Sequence, residues 1–402
     1  MEKKENWIKP RHRYVRALMP LLGLYTRLVY GVRVEKFRDQ GDRAYLILMN
    51  HQTPFDQFFV EMVFKGPIYY IATEDLFSNG WISSVIRWLV APIPIKKQTT
   101  DLGAVRNCIR VAREGGTIAM CPEGNRTYSG QTEYMNPAVA SLARKLKLPI
   151  ALLRIEGGYG VEPRWSDVIR RGKMRAYVSQ IIEPEEYAGM TSEALFEKIR
   201  EGLYVDEAVA DGPFRSPKRA EYLERAIYVC PYCGLTELES HGAEVSCKKC
   251  GRTVVYGEDK TITGKDFQFP FPFVKQWYEY QTDFVNDLDM TAMTDRPVYT
   301  DRVRMSEVIF NKRKKLLRKD AELRLYGDRV VIDEGTEAEL CFPFTALSAI
   351  TVLGRNKLNF YHEKTAYQFK GSKRFNALKY VHFYHRHKNI IRGNADGKFL
   401  GL

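Results

Sequence analysis

An α/β fold with a mostly parallel sheet is predicted for the first half of this chain, followed by a four-cysteine module and a small, mostly-β C-terminal domain. Three observations predict it. Apolar runs of strand length alternate with helical patterns from Ala44 to Val205. Two C-x-x-C pairs stand thirteen residues apart, and short β-like pieces follow one another from Ala321.

Composition bounds the function. At 402 residues, the chain is long enough for several domains, and its 45% hydrophobic and 28% charged residues are those of a folded globular protein rather than a disordered one. The net charge of +13 and pI of about 9.2 call for an anionic partner: nucleic acid, an acidic lipid surface or a phosphorylated substrate. No stretch reaches the eighteen or more apolar residues of a membrane span, since Ala17–Thr26 and Trp88–Ile95 are short and bounded by Arg or Lys. The N-terminus lacks a small-residue cleavage site after an apolar run, so no signal peptide is expected. Four of the seven cysteines sit in C-x-x-C pairs, which points to metal in a reducing compartment and to a cytoplasmic protein.

Residues 1–33 form the first segment. Ala17–Gly31 is rich in Leu, Met and Tyr, with Arg16, Arg27 and Arg33 spread along it. Such a helix can lie in a membrane interface with its arginines toward lipid phosphates, or pack on a core with a solvated edge. Residues 34–211 are the α/β unit. Ala44–Met49 reads as a buried strand, with Thr53 and Pro54 as N-cap and first position of a helix through Phe64. Pro67–Ala72 is a second strand, Gly80–Val90 an amphipathic helix, and Asp101–Arg113 a helix stopped by Gly115-Gly116. Thr117–Cys121 is a third strand, Ala138–Leu146 a helix, Pro149–Ile155 and Gly172–Ile182 strands, and Ser192–Val205 a closing helix. The Gly and Pro residues of 212–226 mark a linker.

Two motifs fall at strand ends, where α/β sheets bind ligands. Asn50-His51-Gln52-Thr53-Pro54-Phe55-Asp56 follows the first strand. There an Asp can fix the tautomer of a His that takes a proton through its other nitrogen. Pro122-Glu123-Gly124-Asn125-Arg126 follows the third strand. Gly124 permits close backbone approach, Arg126 offers a fork for phosphate, and Glu123 can hold that Arg or a substrate hydroxyl.

With both motifs in this order, the chain resembles the glycerolipid acyltransferases of the 1-acylglycerol-3-phosphate type. Their blocks are N-H-x4-D, a second block ending in Arg, F-P-E-G-T-R-S, and a Pro-containing strand. Asn50-His51 with Asp56 matches the first. Cys121–Thr127 matches the third in Pro, Glu, Gly and Arg, with Cys for the aromatic and Asn for the first Thr. Ala91–Lys97 stands where the second belongs, with Lys97 in place of Arg, and Leu148–Leu153 is a partial fourth block. The Lys and Gly that usually follow the third block are absent from Tyr134–Val139. The likeness covers roughly residues 15–205. It implies His51 as general base, Asp56 as its orienting partner, and Arg126 with Lys97, Glu123 and Gly124 around the acceptor's phosphate. It also implies transfer of a fatty acyl group from acyl-CoA or acyl carrier protein to lysophosphatidic acid, making phosphatidic acid. The departure at Lys97 leaves another lyso-lipid or glycerol 3-phosphate open as acceptor. Trp81–Ile95 can line an acyl channel or be plain core.

Cys230-Pro231-Tyr232-Cys233 and Cys247-Lys248-Lys249-Cys250 are each followed by glycine, and β-formers flank both. Four thiolates at this spacing form a zinc ribbon over residues 227–257, with a closed, structural Zn2+ site. Residues 258–320 read as an aromatic and basic connecting region. In it Arg302–Lys319 looks helical and Lys312–Lys315 is a candidate for anionic lipid. Residues 321–402 alternate in six short β-like pieces followed by a helix over Ser372–His387, a pattern resembling the small barrels of pleckstrin-homology type. His382, His385 and His387 lack ligand partners at metal spacing.

The combined expectation is a peripheral enzyme on the inner face of the cell membrane, bound to anionic lipid. Its substrate is a lysophospholipid, with acyl carrier protein as a candidate donor. Nucleic acid is not the expected partner, although an idle catalytic domain carrying a nucleic-acid-binding or adaptor ribbon is the competing class.

Overall fold

The computed structural model describes residues 12–73, 76, 81–95, 101–132, 134–309 and 314–393. The first unit runs α1 (His12–Tyr30), β1 (Val32–Val34), β2 (Leu46–Met49), α2 (Asp56–Val63), β3 (Ile68–Thr73), α3 (Trp81–Val90), β4 (Ile93–Ile95), α4 (Leu102–Arg113), β5 (Thr117–Met120), α5 (Ala138–Leu146), β6 (Ile150–Glu156), α6 (Gly158–Val161), β7 (Met174–Ile182), α7 (Pro184–Ala188) and α8 (Ser192–Leu203). Its seven strands lie in the order β1-β7-β6-β2-β5-β3-β4. All neighbours pair parallel except β6 with β7.

The central strand explains the architecture. Every residue of Leu46–Met49 is buried, because both faces of a parallel sheet are covered. Alternation sends Leu46 and Leu48 to a core with Cys108 and Val111 of α4, Ala140 and Ala143 of α5, and Ile199 of α8. Ile47 and Met49 go to the opposite core with Val60 and Val63 of α2. A helix–sheet–helix sandwich results, and β6, β2 and β5 stand side by side with their carboxyl ends on one rim.

One expected cap is wrong. Thr53 does not cap α2; the chain turns through 53–55 and the helix begins at Asp56, whose own carboxylate receives the Thr53 amide. The cap therefore works backwards, since Asp56 must also face His51. Residues 212–226 are no free linker either. Phe214 is buried against Gly160 and Gly172, and Ala220, Leu223 and Ala226 are wholly buried.

The cysteine module contains β8 (Val229–Cys230), β9 (Gly234–Leu235), β10 (Leu238–His241), β11 (Glu244–Cys247), β12 (Thr253–Tyr256) and β13 (Ile262–Gly264). Helix α9 (Val274–Asn286) follows, its Trp277 Nε1 donating to the Val229 carbonyl at 2.8 Å. The last unit is an antiparallel half-barrel: β14 (Tyr299–Val308), β15 (Lys315–Leu325), β16 (Arg329–Ile332), β17 (Leu340–Pro343), β18 (Leu347–Leu353), β19 (Lys357–His362) and β20 (Thr365–Lys370), packed on α10 (Leu378–Ile391). Their order is β17-β16-β15-β14-β20-β19-β18.

The helix expected over Arg302–Lys319 is thus two strands, and the domain begins near Tyr299 rather than at 321. Its charged residues can be read at helical spacing. The deciding signal is period two, with the exposed Arg302 and Arg304 alternating with the buried Val303 and Met305. Of the basic cluster, Lys312 and Arg313 lie outside the described residues, while Lys314 donates to Gln368 Oε1 at 2.9 Å. His382 is a core histidine, its Nδ1 2.7 Å from the Tyr228 hydroxyl.

Candidate active site

Three loops meet on the shared rim. The first leaves β2 and carries Asn50, whose side chain exchanges hydrogen bonds with the backbone of Ile155 at 2.8 and 2.7 Å, tying this loop to the end of β6. His51 follows, its Nδ1 2.7 Å from Asp56 Oδ2. Asp56 is fully buried and accepts the Gln52 amide at 2.8 Å, the Thr53 amide at 2.9 Å and the Thr53 hydroxyl at 2.8 Å. Four donors thus converge on one carboxylate and hold it immobile. With Nδ1–H donated to Asp56, the lone pair of His51 lies on Nε2, and a fifth of this side chain is open to solvent.

The second loop leaves β5. Glu123 Oε1 accepts the His51 backbone amide at 3.0 Å, so this residue braces the His loop rather than holding Arg126. Gly124 has φ +70°, a conformation costly to other residues. Arg126 is nearly buried, and among the described residues it makes one long hydrogen bond, Nη1 to the Glu162 carbonyl at 3.5 Å. Burial, only partly offset by Glu162, pulls its pKa down to about 10, so it remains a cation at neutral pH with most of its donors unspent. Lys97 lies outside the described residues.

The third loop leaves β6, and sequence reasoning overlooked it. Gly158 packs so tightly that a Cβ there would meet Gln52 Cβ at 2.5 Å, which lets this loop close against the His51 loop. It then places Glu162 and Arg164 beside Arg126, with Arg164 Nη1 donating to the Arg126 carbonyl at 2.8 Å. The Tyr30 hydroxyl donates to Glu162 Oε2 at 2.6 Å. A glycine-rich turn directly after a strand, leading within eight residues to Glu162 and Arg164 on the rim already holding His51, was the available signal.

Beside these loops, α1 and α3 leave a broad apolar face open. Leu18, Leu21, Leu24 and Leu28 of α1 and Trp81, Val85 and Trp88 of α3 are exposed, with Tyr14 stacked on Trp88. Trp81 is 76% exposed, so this face of α3 is not core. No helix among the described residues is long and apolar enough to cross a membrane.

Away from the rim, the Sγ atoms of Cys230, Cys233, Cys247 and Cys250 all lie within 4.8 Å of one another, a group able to hold a metal ion. Cys230 and Cys250 are 3.8 Å apart and Cys233 and Cys247 3.4 Å, far from a disulfide and close to the ~3.8 Å edge of a tetrahedron with ~2.3 Å metal–sulfur bonds. Gly234 and Gly251, at φ +72° and +71°, make the two knuckle turns.

Comparison with known proteins bears on the rim. A family model described as Acyltransferase matches residues 31–155. Over 175 residues the chain is 22% identical to the 1-acyl-sn-glycerol-3-phosphate acyltransferase of Bacillus subtilis (strain 168), spanning 43% of this chain and 84% of that one. The crystal structure of the 1-acyl-sn-glycerophosphate (LPA) acyltransferase from Thermotoga maritima aligns at a TM-score of 0.41 and 20% identity, over 48% of this chain and 78% of that one. The matched family segment contains His51, Asp56, Glu123 and Arg126 and ends before the four clustered cysteines, Cys230 to Cys250.

Proposed function

With residues 31–155 a domain of the glycerolipid acyltransferase family, we propose that the protein moves a fatty acyl group from acyl-CoA or acyl carrier protein to the free hydroxyl of 1-acyl-sn-glycerol 3-phosphate. The observation that carries this reading is the pairing of a His51–Asp56 dyad with a buried, underused arginine on adjacent strand ends. His51 Nε2 takes the proton of the acceptor hydroxyl as its oxygen attacks the thioester carbonyl. The C–S bond then breaks, and the proton returns from the imidazolium to the departing thiolate. Asp56 fixes the ring and stabilises the imidazolium, while Arg126 holds the acceptor's phosphate, so that hydroxyl and base meet as one encounter. Gly124 keeps the backbone beside that phosphate clear.

The apolar face of α1 and α3 suits docking on a bilayer surface, with Arg13, Arg16, Arg27 and Arg87 on the same two helices available to anionic headgroups. We infer a peripheral enzyme on the inner face of the cell membrane, within reach of a lysophospholipid substrate. The four cysteines suit a structural zinc, since all four ligand positions are thiolates and none remains for substrate.

The test is transfer of a labelled acyl group from acyl-CoA or acyl carrier protein to lysophosphatidic acid by the purified protein. Phosphatidic acid should form with wild type and roughly 10²–10⁴ times more slowly with His51→Ala. Transfer at the wild-type rate in His51→Ala, or none to any phosphate-bearing acceptor with wild type, overturns the reading.

A further inference from the structure

The C-terminal half-barrel reaches the same rim. The turn between β18 and β19 projects onto the α/β unit, where Arg164 grips its backbone: Nε donates to the Gly354 carbonyl and Nη2 to the Val352 carbonyl, both at 3.3 Å. The turn so held points Arg355 at the third rim loop. Its Nη1 meets Asp167 Oδ1 at 3.1 Å, and its Nη2 bonds Glu162. Glu162 is therefore touched by two guanidiniums, by Arg126 on its carbonyl and by Arg355 on its carboxylate.

Neither arginine is spent on these contacts. Asp167 is already held by the fork of Arg225, through two bonds of 2.9 Å, so Arg355 is a third party to that pair. Among the described residues the Nε–H of Arg355 is buried with no partner, and a buried donor without an acceptor costs about 1–3 kcal/mol. Among the described residues Arg126 holds only its 3.5 Å bond. The two cations are close enough that Arg355 adds to burial in pushing the Arg126 proton off. Two neighbouring guanidiniums with donors in reserve match a group with several acceptor oxygens and up to two negative charges, which is the chemistry of a phosphate monoester.

We propose that Arg355 is a specificity-determining residue, delivered by the C-terminal domain to the pocket in which Arg126 holds the acceptor's phosphate. This rests on the acyltransferase reading above. The C-terminal domain is then part of the acceptor site, and Glu162 keeps both forks in place until the phosphate arrives, Arg355 through its carboxylate and Arg126 through its backbone carbonyl.

The test uses the full-length protein with Arg355→Gln and Arg355→Lys, beside wild type. Two quantities are measured: the affinity for glycerol 3-phosphate by calorimetry without acyl donor, and steady-state transfer to lysophosphatidic acid and to a monoacylglycerol, which lacks the phosphate. Arg355→Gln should weaken glycerol 3-phosphate binding and raise KM for lysophosphatidic acid roughly ten- to hundredfold, the cost of a hydrogen bond between charged groups. It should leave kcat and transfer to monoacylglycerol nearly unchanged, and Arg355→Lys should recover part of the loss. Equal losses with both acceptors mean that Arg355 is only a strut between domains, and overturn the proposal. Unchanged binding and KM in a wild-type-active assay also overturn it, while leaving the acyltransferase reading intact. Absence of transfer by wild type counts against that reading instead, and unaltered glycerol 3-phosphate binding in Arg355→Gln, or none in wild type, still refutes the role given to Arg355.

Discussion

His51 Nδ1 stands 2.7 Å from Asp56 Oδ2, and each of the other donors that meet the Asp56 carboxylate comes from Gln52 or Thr53, two of the four residues between them. The five-residue spacing is therefore a closed loop around one carboxylate, and it separates two kinds of damage. His51→Ala removes a ring that is one-fifth exposed and should cost roughly 10²–10⁴ in kcat/KM with little change in melting temperature. Asp56→Asn turns an amide NH2 toward groups that are themselves donors, so it should lower activity and thermal stability together. Kinetics and thermal melting of the two variants check this; an Asp56→Asn protein as stable as wild type would refute the loop-closing role.

Arg126 invites a graded test. Arg126→Gln should raise KM for a phosphate-bearing acceptor about ten- to hundredfold and leave donor KM unaffected. Arg126→Lys should behave almost as badly, because a buried ammonium lacks the fork and gives up its proton more readily. Initial-rate measurements with acceptor and donor varied in turn decide it, and a shift in donor KM instead would move Arg126 to the thioester side.

Much of this site could be read from the sequence, for a local reason. His51 with Asp56, and Glu123 with Arg126, are short-range motifs at the ends of strands whose unbroken apolar character announces burial on both faces. The cysteine cluster is likewise written in its spacing. What escaped depends on contacts between distant residues. Glu162 matters because Tyr30, 132 residues away, and Arg355, 193 residues away, both bond it, and nothing local to Glu162 reveals either. Arg302–Lys319, which holds most of β14 and the first half of β15, reads as a helix because Arg and Lys dominate and the buried Val303 and Met305 are few. Thr53 mimicked a cap because an N-cap residue and a donor to Asp56 have the same side chain.

The zinc assignment predicts about one zinc per chain, lost on mixing with a strong chelator. Trp277 reports the consequence, since its indole donates to the carbonyl of Val229, next to Cys230. Cys247→Ser should release the metal and alter tryptophan fluorescence, and metal-free protein with unchanged fluorescence and melting would count against a structural zinc.

If the apolar face of α1 and α3 docks on lipid, Leu21→Ser, Leu28→Ser and Trp81→Ser combined should weaken sedimentation with anionic vesicles severalfold. The fold should be spared, because these side chains are 68%, 74% and 76% exposed. Each removes about 1.5–3 kcal/mol of apolar contact if fully inserted. Binding that stays at the wild-type level would remove this face from the account.

Glu207 supplies a pH test of the third rim loop. Its buried carboxyl accepts the amides of Gly157 at 2.5 Å and Gly160 at 3.3 Å, at the start of the segment that presents Glu162. Burial raises its pKa from the usual 4.5 to about 7, despite Lys260 and these amides. The native state therefore keeps its proton where the unfolded chain has lost it. The stability this contributes is complete below about 4.5 and drains away as pH rises through 7, by roughly 3 kcal/mol in all. Glu207→Gln resembles the protonated form at every pH, so it should escape that loss. Its denaturation midpoint relative to wild type should climb between about pH 4.5 and 7 and level off above, and parallel pH profiles for the two proteins would show that Glu207 titrates normally.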